Sequence, residues 1–178
     1  MSMPAGRQSL DPPRMKGAVA ELPAIAPADF KAAMRGLAAA VCVVTTRHET
    51  LANGMTATAV CSVSADPPSL LVVVNRSNRS HALIRDSGVF AVHVLSKGQE
   101  RLARHFAGRP ETPFAGVPVR SGATAAPVIE NCETVLDCVV GAETDFGTHT
   151  IFVGRIVAAR YGVGEPLLYC DGRFGSMA

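Results

Sequence analysis

A concentration of polar side chains follows the apolar run LLVVVN. It consists of Asn75, Ser77, Asn78, Arg79 and Ser80, directly before a segment predicted to be helical. Backbone N–H groups, hydroxyls and a guanidinium at the start of a helix are suited to bind an anion such as a phosphate. Serine and asparagine also dominate ordinary helix caps, so the pattern taken alone favours capping over an anion site.

One histidine stands apart from the other four by its context. His149 follows Gly147 and Thr148 at the start of an apolar run, where a bend in the chain can direct an imidazole into a pocket. A structural role remains as compatible with this spacing as a functional one. No two histidines have metal-ligand spacing together with a carboxylate, so the sequence predicts no metal site.

The segment GMTATAVCSVSADPP, from Gly54 to Pro68, combines small apolar residues with hydroxyls and has almost no large side chain. Small side chains let a planar ligand approach the backbone, and hydroxyls and N–H groups can bind the polar rim of such a ligand. A flavin is a ligand of this kind. A tightly packed strand against a helix would have the same composition, so both interpretations stay open.

Composition narrows the class of protein. The chain has 178 residues, of which 48% are hydrophobic and 18% charged, with a formal net charge of +2. Such a weak positive charge makes nucleic acid a poor candidate partner. The apolar composition instead predicts that a second copy of the chain covers part of the surface as a homodimer.

Motifs typical of Rossmann domains, P-loops, zinc proteases and serine hydrolases do not occur.

Cysteine usage and the absence of long apolar runs predict a soluble, cytoplasmic protein that does not span a membrane. The five cysteines are odd in number and form no CxxC pair, which is typical of buried thiols in a reducing compartment. The first residues lack the apolar region of a secretory signal. Residues 1–26 are rich in Pro, Ala and Gly and are predicted to form a flexible arm, before a single domain over 27–178.

The predicted elements are mostly short strands with local connections, and the helices are inserted between them. We expect an antiparallel β-barrel with a few helices rather than a doubly wound fold. In chain order, the predictions are a helix over 28–40 with Phe30, Met34 and Leu37 on one face, a strand from Val41, a turn over 49–54, a strand over 54–68, a strand over 71–75, a helix ended by Gly88, a strand from Val89, a helix ended by Gly108, two long strands joined across 144–148, and a hairpin turn at Asp171-Gly172.

Five motifs in this order resemble the flavin reductase family with the split β-barrel, FMN-binding fold. They are GMTATAVCSVSADPPSLLVVVNRSNRS, SGVFAVHVL, LARHFAG, GTHTIFVGRI and PLLYCDGRF, and the resemblance covers about residues 28–175. TATAVCSV, RHFAG and GTH are similar to the reductase component of 4-hydroxyphenylacetate 3-monooxygenase and to the flavin reductase of pyrimidine utilisation.

The resemblance implies a set of cofactor-binding residues. Small residues of the first motif would contact the flavin ring and ribityl chain, three polar residues would bind its phosphate, and two residues of the HFAG element would lie near the flavin. His149 is implied to lie near the nicotinamide and flavin and is the one candidate catalytic residue. The full set is Thr56, Ala57, Thr58, Ala59, Val60, Ser62, Val63, Asn75, Ser77, Ser80, Phe106, Ala107 and His149.

The resemblance also implies an activity. The family comprises homodimeric NAD(P)H:flavin oxidoreductases that pass a hydride from nicotinamide to FMN or FAD and release reduced flavin to a partner monooxygenase. The sequence does not choose between FMN and FAD or between NADH and NADPH. Two alternatives stay open, namely a flavin-binding module without turnover and a flavin oxidase related to the pyridoxamine-phosphate oxidases.

Overall fold

The structure, a computed structural model, describes residues 8–9, 22–162 and 164–177. It is mainly β, with three α-helices in these residues. The strands are β1 (Gln8–Ser9), β2 (Ala39–Ala40), β3 (Cys42–His48), β4 (Leu51–Ala57), β5 (Val60–Ala65), β6 (Pro68–Asn75), β7 (Val89–Val94), β8 (Val119–Ser121), β9 (Pro127–Ile129), β10 (Thr134–Phe146), β11 (His149–Arg160), β12 (Leu168–Cys170) and β13 (Arg173–Gly175), and the helices are α1 (Pro27–Met34), α2 (Arg79–Ser87) and α3 (Glu100–Ala107).

The main sheet has the strand order β4-β3-β7-β10-β11-β6-β5, and all of these neighbours are antiparallel. In the described part of the chain β4 and β5 do not pair, so the hydrogen-bonded order does not close into a barrel. The two end strands are nevertheless consecutive in the chain and are joined by Thr58 and Ala59. This joint is therefore the place where the chain leaves one end of the sheet for the other.

Both faces of this sheet carry buried side chains, because apolar residues occupy successive positions of its central strands and successive side chains point to opposite faces. Val44, Val72 and Phe152 are fully buried in one cluster, and Val43 and Phe106 are at most 1% exposed in a second. At Gly154 of β11 an added Cβ would overlap the Phe90 ring and the Cβ of Cys138, so this close approach of strand and ring requires glycine.

Three predicted boundaries at the start of the domain are wrong. The first helix ends at Met34 rather than near residue 40, because Ala39 and Ala40 pair with β12. The predicted turn over 49–54 is only Glu49 and Thr50, because Glu49 adopts a left-handed φ of 51° and Leu51 already pairs with His48. The single strand expected over 54–68 is two strands, β4 and β5.

The predicted helices after β6 and β7 are confirmed with their ends. The Asn78 side chain accepts a hydrogen bond from the Ser80 N–H at 2.9 Å and caps α2, which ends at Gly88 with a left-handed φ of 70°. Helix α3 is followed by Gly108 and buries Ala103 and Phe106. The two long strands β10 and β11 are confirmed, but only Gly147 and Thr148 join them rather than 144–148, because residues 144–146 pair with β11. The predicted turn Asp171-Gly172 joins β12 to β13.

Two expectations concern parts of the chain that the structure describes little or not at all. The predicted arm over 1–26 lies outside the described residues except for 8–9 and 22–26, and β1 pairs in parallel with β10. The boundary between residues 26 and 27 stays a prediction. Among the described residues, no helix is long and apolar enough to cross a membrane.

Candidate functional site

Three clefts adjoin the joint between β4 and β5 and the helices beside it. The hairpin cleft has a volume of about 460 Å³ and is lined by Val41, Thr56, Thr58, Arg104, Ala107, Gly108, Tyr169, Gly172 and Phe174. The α1 cleft, of about 620 Å³, is lined by Phe30, Lys31, Met34, Arg35, Leu37, Ala39, Thr58, Ala59, Tyr169, Cys170, Asp171 and Gly172. The α2 cleft, of about 270 Å³, is lined by Asn53, Gly54, Met55, Ser77, Asn78, Arg79, Phe106, Arg109 and Glu111.

The hairpin cleft and the α2 cleft lie along consecutive residues of the same two elements. Residues 53–55 of β4 line the α2 cleft, and Thr56 lines the hairpin cleft. At the end of α3, Phe106 lines the α2 cleft, whereas Ala107 lines the hairpin cleft. The structure thus brings the predicted Thr56 and Thr58 together with the predicted Phe106 and Ala107.

The packing of β4 against α3 fixes the shape of this region. The Thr56 hydroxyl donates to the Ala103 carbonyl oxygen at 2.6 Å, which leaves its methyl group as apolar surface. A Cβ added at Gly54 would lie 2.5 Å from Cε1 of Phe106, so only glycine permits this approach of ring and strand. Phe106 is 1% exposed and contacts the ring of Phe114 with centroids 5.8 Å apart. The buried Phe106 ring therefore packs against β4 and forms part of the wall of the α2 cleft.

The predicted phosphate-binding residues differ in what they can offer a ligand. Asn75 Oδ1 accepts from both the N–H and the hydroxyl of Ser77, each at 2.8 Å, so these groups form a closed turn. Ser80 is fully buried, and its Oγ accepts from the Asn53 amide at 2.9 Å. Capping is thus an established role of Asn78 and a packing role is established for Ser80. The cations that line the α2 cleft are Arg79 and Arg109.

His149 lies at the opposite end of the Asn75 turn from the α2 cleft. It pairs with Asn75 across β11 and β6 and with Phe146 across the β10–β11 turn, and its Nδ1 is 3.0 Å from the Thr148 hydroxyl. It is half-buried and lines none of the three clefts. The structure therefore places His149 beside the predicted phosphate-binding residues but outside the cavities.

Arg76 joins the two segments that carry Asn75 and His149. Its guanidinium donates to the Gly147 carbonyl oxygen at 2.5 Å, and its N–H donates to the Thr148 carbonyl oxygen at 3.0 Å. The guanidinium also lies 4.0 Å from an Asp145 carboxylate oxygen. The turn before His149 is thereby held against the turn after β6.

A hydrogen-bond chain leads from the buried His81 through Thr150 to Asp145, next to the same turn. The Thr150 hydroxyl donates to Asp145 Oδ1 at 2.5 Å, so its oxygen accepts from His81 Nε2 at 2.7 Å, which assigns the proton to that nitrogen. Burial, followed by the charge of Arg85, lowers the pKa of His81. The hydrogen bond from Thr150 and the nearby Arg85 lower the pKa of Asp145.

The other predicted flavin-contact residues lie on or next to the edge of the sheet. Ala57 is 9% exposed and Ala59 lines the α1 cleft. Val60 is half-buried, whereas Ser62 is exposed and Val63 is 49% exposed. These three residues of β5 line none of the three clefts, so the structure separates the predicted surface into a cleft part and an edge part.

The sequence did not single out the aromatic and basic residues of the hairpin cleft. Tyr169 and Phe174 pair across β12 and β13 with ring centroids 5.2 Å apart, and the Arg104 guanidinium lies 4.9 Å from the Phe174 ring centroid. Tyr169 and Phe174 are separated from Thr58 by over 100 residues, and no local pattern relates them to it. The DGRF motif predicted the hairpin turn, but it did not indicate that the hairpin lies beside Thr58 and the end of α3.

The strands form antiparallel sheets, and the clefts along β4 and α3 bring small residues close to two arginines. The family model described as "Flavin reductase like domain" matches residues 34–178. The chain therefore belongs to the flavin reductase-like domain family, and the resemblance of its motifs is confirmed.

Curated relatives and a solved structure agree with this assignment. "FMN reductase (NADH) RutF" of Bradyrhizobium diazoefficiens is 38% identical over 148 residues, which is 82% of each chain. The reductase component of 4-nitrophenol 4-monooxygenase/4-nitrocatechol 2-monooxygenase of Rhodococcus opacus is 36% identical over 83% of this chain and 80% of its own. The NADH:FAD oxidoreductase SgcE6 of Streptomyces globisporus C-1027, solved with NAD and FAD fragments, has a TM-score of 0.80 and 33% identity over 88% of this chain and 98% of that one.

Proposed function

We propose that this protein is an NAD(P)H-dependent flavin reductase that reduces FMN or FAD and supplies the reduced flavin to a partner monooxygenase. The observation that carries the proposal is the pair of clefts along β4 and α3, where small residues adjoin a site with two arginines. The named activities of the relatives, an FMN reductase with NADH and a monooxygenase reductase component, support NADH as donor and an oxygenase as recipient.

The residues present fit a flavin. Thr56, Thr58 and Ala107 leave room for a planar ring in the hairpin cleft because none of them carries a long side chain. Ser77, Arg79 and Arg109 in the α2 cleft offer a hydroxyl and two cations to a phosphate. When bound, a flavin supplies a hydride acceptor that no side chain can replace. The protein itself would hold the flavin ring against the small side chains of the hairpin cleft. It would hold the phosphate beside Arg79 and Arg109 of the α2 cleft.

The remaining predicted contacts belong to the same proposal. The surface that contacts the flavin ring would extend along the joint and β5. Its further residues would be Ala57, Ala59, Val60, Ser62 and Val63. Asn75 and Ser80 would order the phosphate side, since they hold Ser77 and the start of α2 in place. Phe106 would support the flavin from α3.

His149 is proposed to orient the nicotinamide or to supply a proton. The position of His149 supports this role, because it pairs with Asn75 and follows the turn that Arg76 binds. A His149→Ala variant is expected to raise the KM for NADH or lower kcat while flavin still binds. Unchanged NADH kinetics in this variant would remove His149 from the mechanism.

The test of the activity is anaerobic mixing of the purified protein with NADH and excess FMN or FAD, followed by the loss of NADH absorbance. Reduction of many flavin equivalents per protein supports the reductase. Reduction of a single equivalent, or none, would instead support the flavin-binding module. Stoichiometric hydrogen peroxide from an amine substrate in air would favour the oxidase.

A homodimer is proposed from the outer face of the main sheet. Leu71 pairs with Val153 and Val73 pairs with Ile151, so four apolar side chains lie together on the face opposite the cluster that contains Val72 and Phe152. All four are half-buried, and Val63 on β5 is 49% exposed beside them. Such a patch is typical of a subunit interface. Val73→Glu and Ile151→Glu are expected to yield monomers in analytical ultracentrifugation, whereas an unchanged dimer would place the interface elsewhere.

The finer fold and location are proposed with the activity. In a split β-barrel, the joint at Thr58 and Ala59 would bring the two ends of the open strand order together. The domain over 27–178 would carry all site residues, and the arm over 1–26 would precede it. A cytoplasmic location is supported by the free cysteines of the described residues, which are typical of a reducing compartment.

A further inference from the structure

The hairpin cleft is lined by further side chains besides those assigned to the flavin ring. On one side it is bounded by Thr56, Thr58 and the end of α3, and on the other by the β12–β13 hairpin with Tyr169 and Phe174. Its volume of about 460 Å³ lies within the ordinary range for a small-molecule site. It continues into the α1 cleft, which shares Thr58, Tyr169 and Gly172. The two clefts are therefore adjacent along the β12–β13 hairpin.

Tyr169 is placed to stack on a ligand rather than to fill a core. It is 38% exposed, lines both clefts and packs edge-on against Phe174, which leaves a ring face for a second partner. Gly172, which lines both clefts, has a left-handed φ of 77°, a conformation that favours glycine. Aromatic rings that are half-exposed at a cleft are typical stacking surfaces for nucleobases.

Cations surround this aromatic pair. The Arg104 guanidinium lies over Phe174 and is oriented by Glu100, whose carboxylate oxygen accepts its Nε–H and Nη2–H at 2.8 and 2.6 Å. Arg35 and Lys31 line the α1 cleft, and Arg35 pairs with Asp171 at 2.9 Å. The Asp171 N–H donates to the Arg35 carbonyl oxygen, so the hairpin is fixed to the end of α1. An aromatic platform with arginines and a lysine at its rim is suited to a base that carries phosphate.

We propose that the hairpin cleft binds the adenylate half that NADH and FAD share, with the adenine stacked on Tyr169 and its phosphate near Arg104 and Arg35. The inference rests on the proposed function, because the cleft shares Thr58 with the proposed ring surface. It assigns to the C-terminal hairpin the recognition of the adenylate group of a dinucleotide.

Direct binding of AMP tests the subsite whether or not the protein is a reductase. Calorimetric titration is expected to show AMP binding to the wild type and to Tyr169→Phe, which keeps a ring. Binding is expected to weaken about tenfold or more in Tyr169→Ala, because the loss of one stacking contact on a base has this magnitude. The matched control is Tyr161→Ala, since Tyr161 is the one other tyrosine of the chain, is 87% exposed and lines none of the three clefts.

Two kinetic comparisons then identify the source of the adenylate. If it belongs to NADH, Tyr169→Ala raises the KM for NADH about tenfold with FMN as acceptor and leaves the KM for reduced nicotinamide mononucleotide unchanged. If it belongs to FAD, the variant weakens FAD binding and leaves FMN binding unchanged. Equal AMP affinity in wild type and Tyr169→Ala, or no AMP binding at all, overturns the proposal. A wild type that binds AMP but does not oxidise NADH would overturn the proposed function alone.

Discussion

The centre of the main sheet and the joint between β4 and β5 both carry polar side chains, but they use them differently. At the centre, His93 is fully buried, its Nε2 accepts from the Ile129 N–H at 3.0 Å, and its Nδ1–H donates to the Val43 carbonyl oxygen at 3.0 Å. At the joint, Thr58 is exposed and lines two clefts. Polar groups that are satisfied internally specify the fold, whereas those at the surface of a cleft are available to a ligand.

The largest expected effect tests the central side of this comparison through pH. Burial lowers the pKa of His93 to about 4, while the unfolded chain titrates near 6.5. Between these values the unfolded state binds more protons, so the free energy of unfolding falls as the pH decreases from about 6.5 to about 4. The loss is about 3 kcal/mol.

Urea denaturation of wild type and His93→Gln over this pH range measures that loss. The glutamine amide retains a donor and an acceptor but does not titrate, so the variant should show a flatter dependence on pH. His81 contributes in the same direction in both proteins, because burial lowers its pKa too. Parallel curves for the two proteins would show that His93 is not the sensitive group.

The second prediction tests the joint. Thr58→Leu is expected to weaken flavin binding by up to about 100-fold, because a bulky side chain would fill the space of two clefts. Ser62→Leu places the same side chain on β5, which lines neither cleft, and is expected to have a smaller effect. Flavin titration by fluorescence quenching measures both. An equal loss would show that the ring surface extends along β5.

A pair of glycines gives a third, smaller effect that separates stability from binding. Gly54→Ala and Gly154→Ala each place a Cβ against a buried ring, Phe106 in one case and Phe90 in the other. Each is expected to lower the free energy of unfolding by about 2 kcal/mol. Only Gly54→Ala should also weaken flavin binding, since Phe106 lines the α2 cleft. Weaker binding in both variants would mean that the effect passes through stability.

The smallest effect is expected at Arg76. Its side chain is 49% exposed, so Arg76→Ala should lower the free energy of unfolding by less than about 1 kcal/mol despite its contacts to Gly147 and Asp145. Arg76→Lys is the matched variant that keeps the charge but loses the guanidinium geometry. Denaturation in urea measures the free energy of unfolding of both variants. A loss as large as that of Gly54→Ala would show that Arg76 is needed for the stability of the fold.

The sequence predicted those helix ends and strands that short-range interactions determine. Asn78 and Gly88 marked the ends of α2, and β-branched runs marked β3, β6 and β7. The break at Thr58 and Ala59 could not be predicted, because neither residue is a turn former. It arises where the chain exchanges one partner strand for another, and the Val73 N–H then donates to the Ala59 carbonyl oxygen.

The candidate site was predictable only in part for the same reason. Thr56, Thr58, Phe106 and Ala107 belong to motifs, and the structure brings them together. Tyr169 and Phe174 reach the same cleft through the pairing of β12 with β2, which is a contact between distant parts of the chain. No period or spacing in the sequence relates such residues.

Strand β5 has one further consequence, which concerns self-association. In the described residues its only strand partner is β6, so one side of its backbone is free to template a foreign strand. It is short, it carries Ser62 and Ser64, and a bulge falls between these serines. These are features by which natural proteins discourage amyloid-like growth at a sheet edge. The shortness of β5 and its bulge, next to the proposed ligand surface, therefore also protect the monomer from aggregation while it folds.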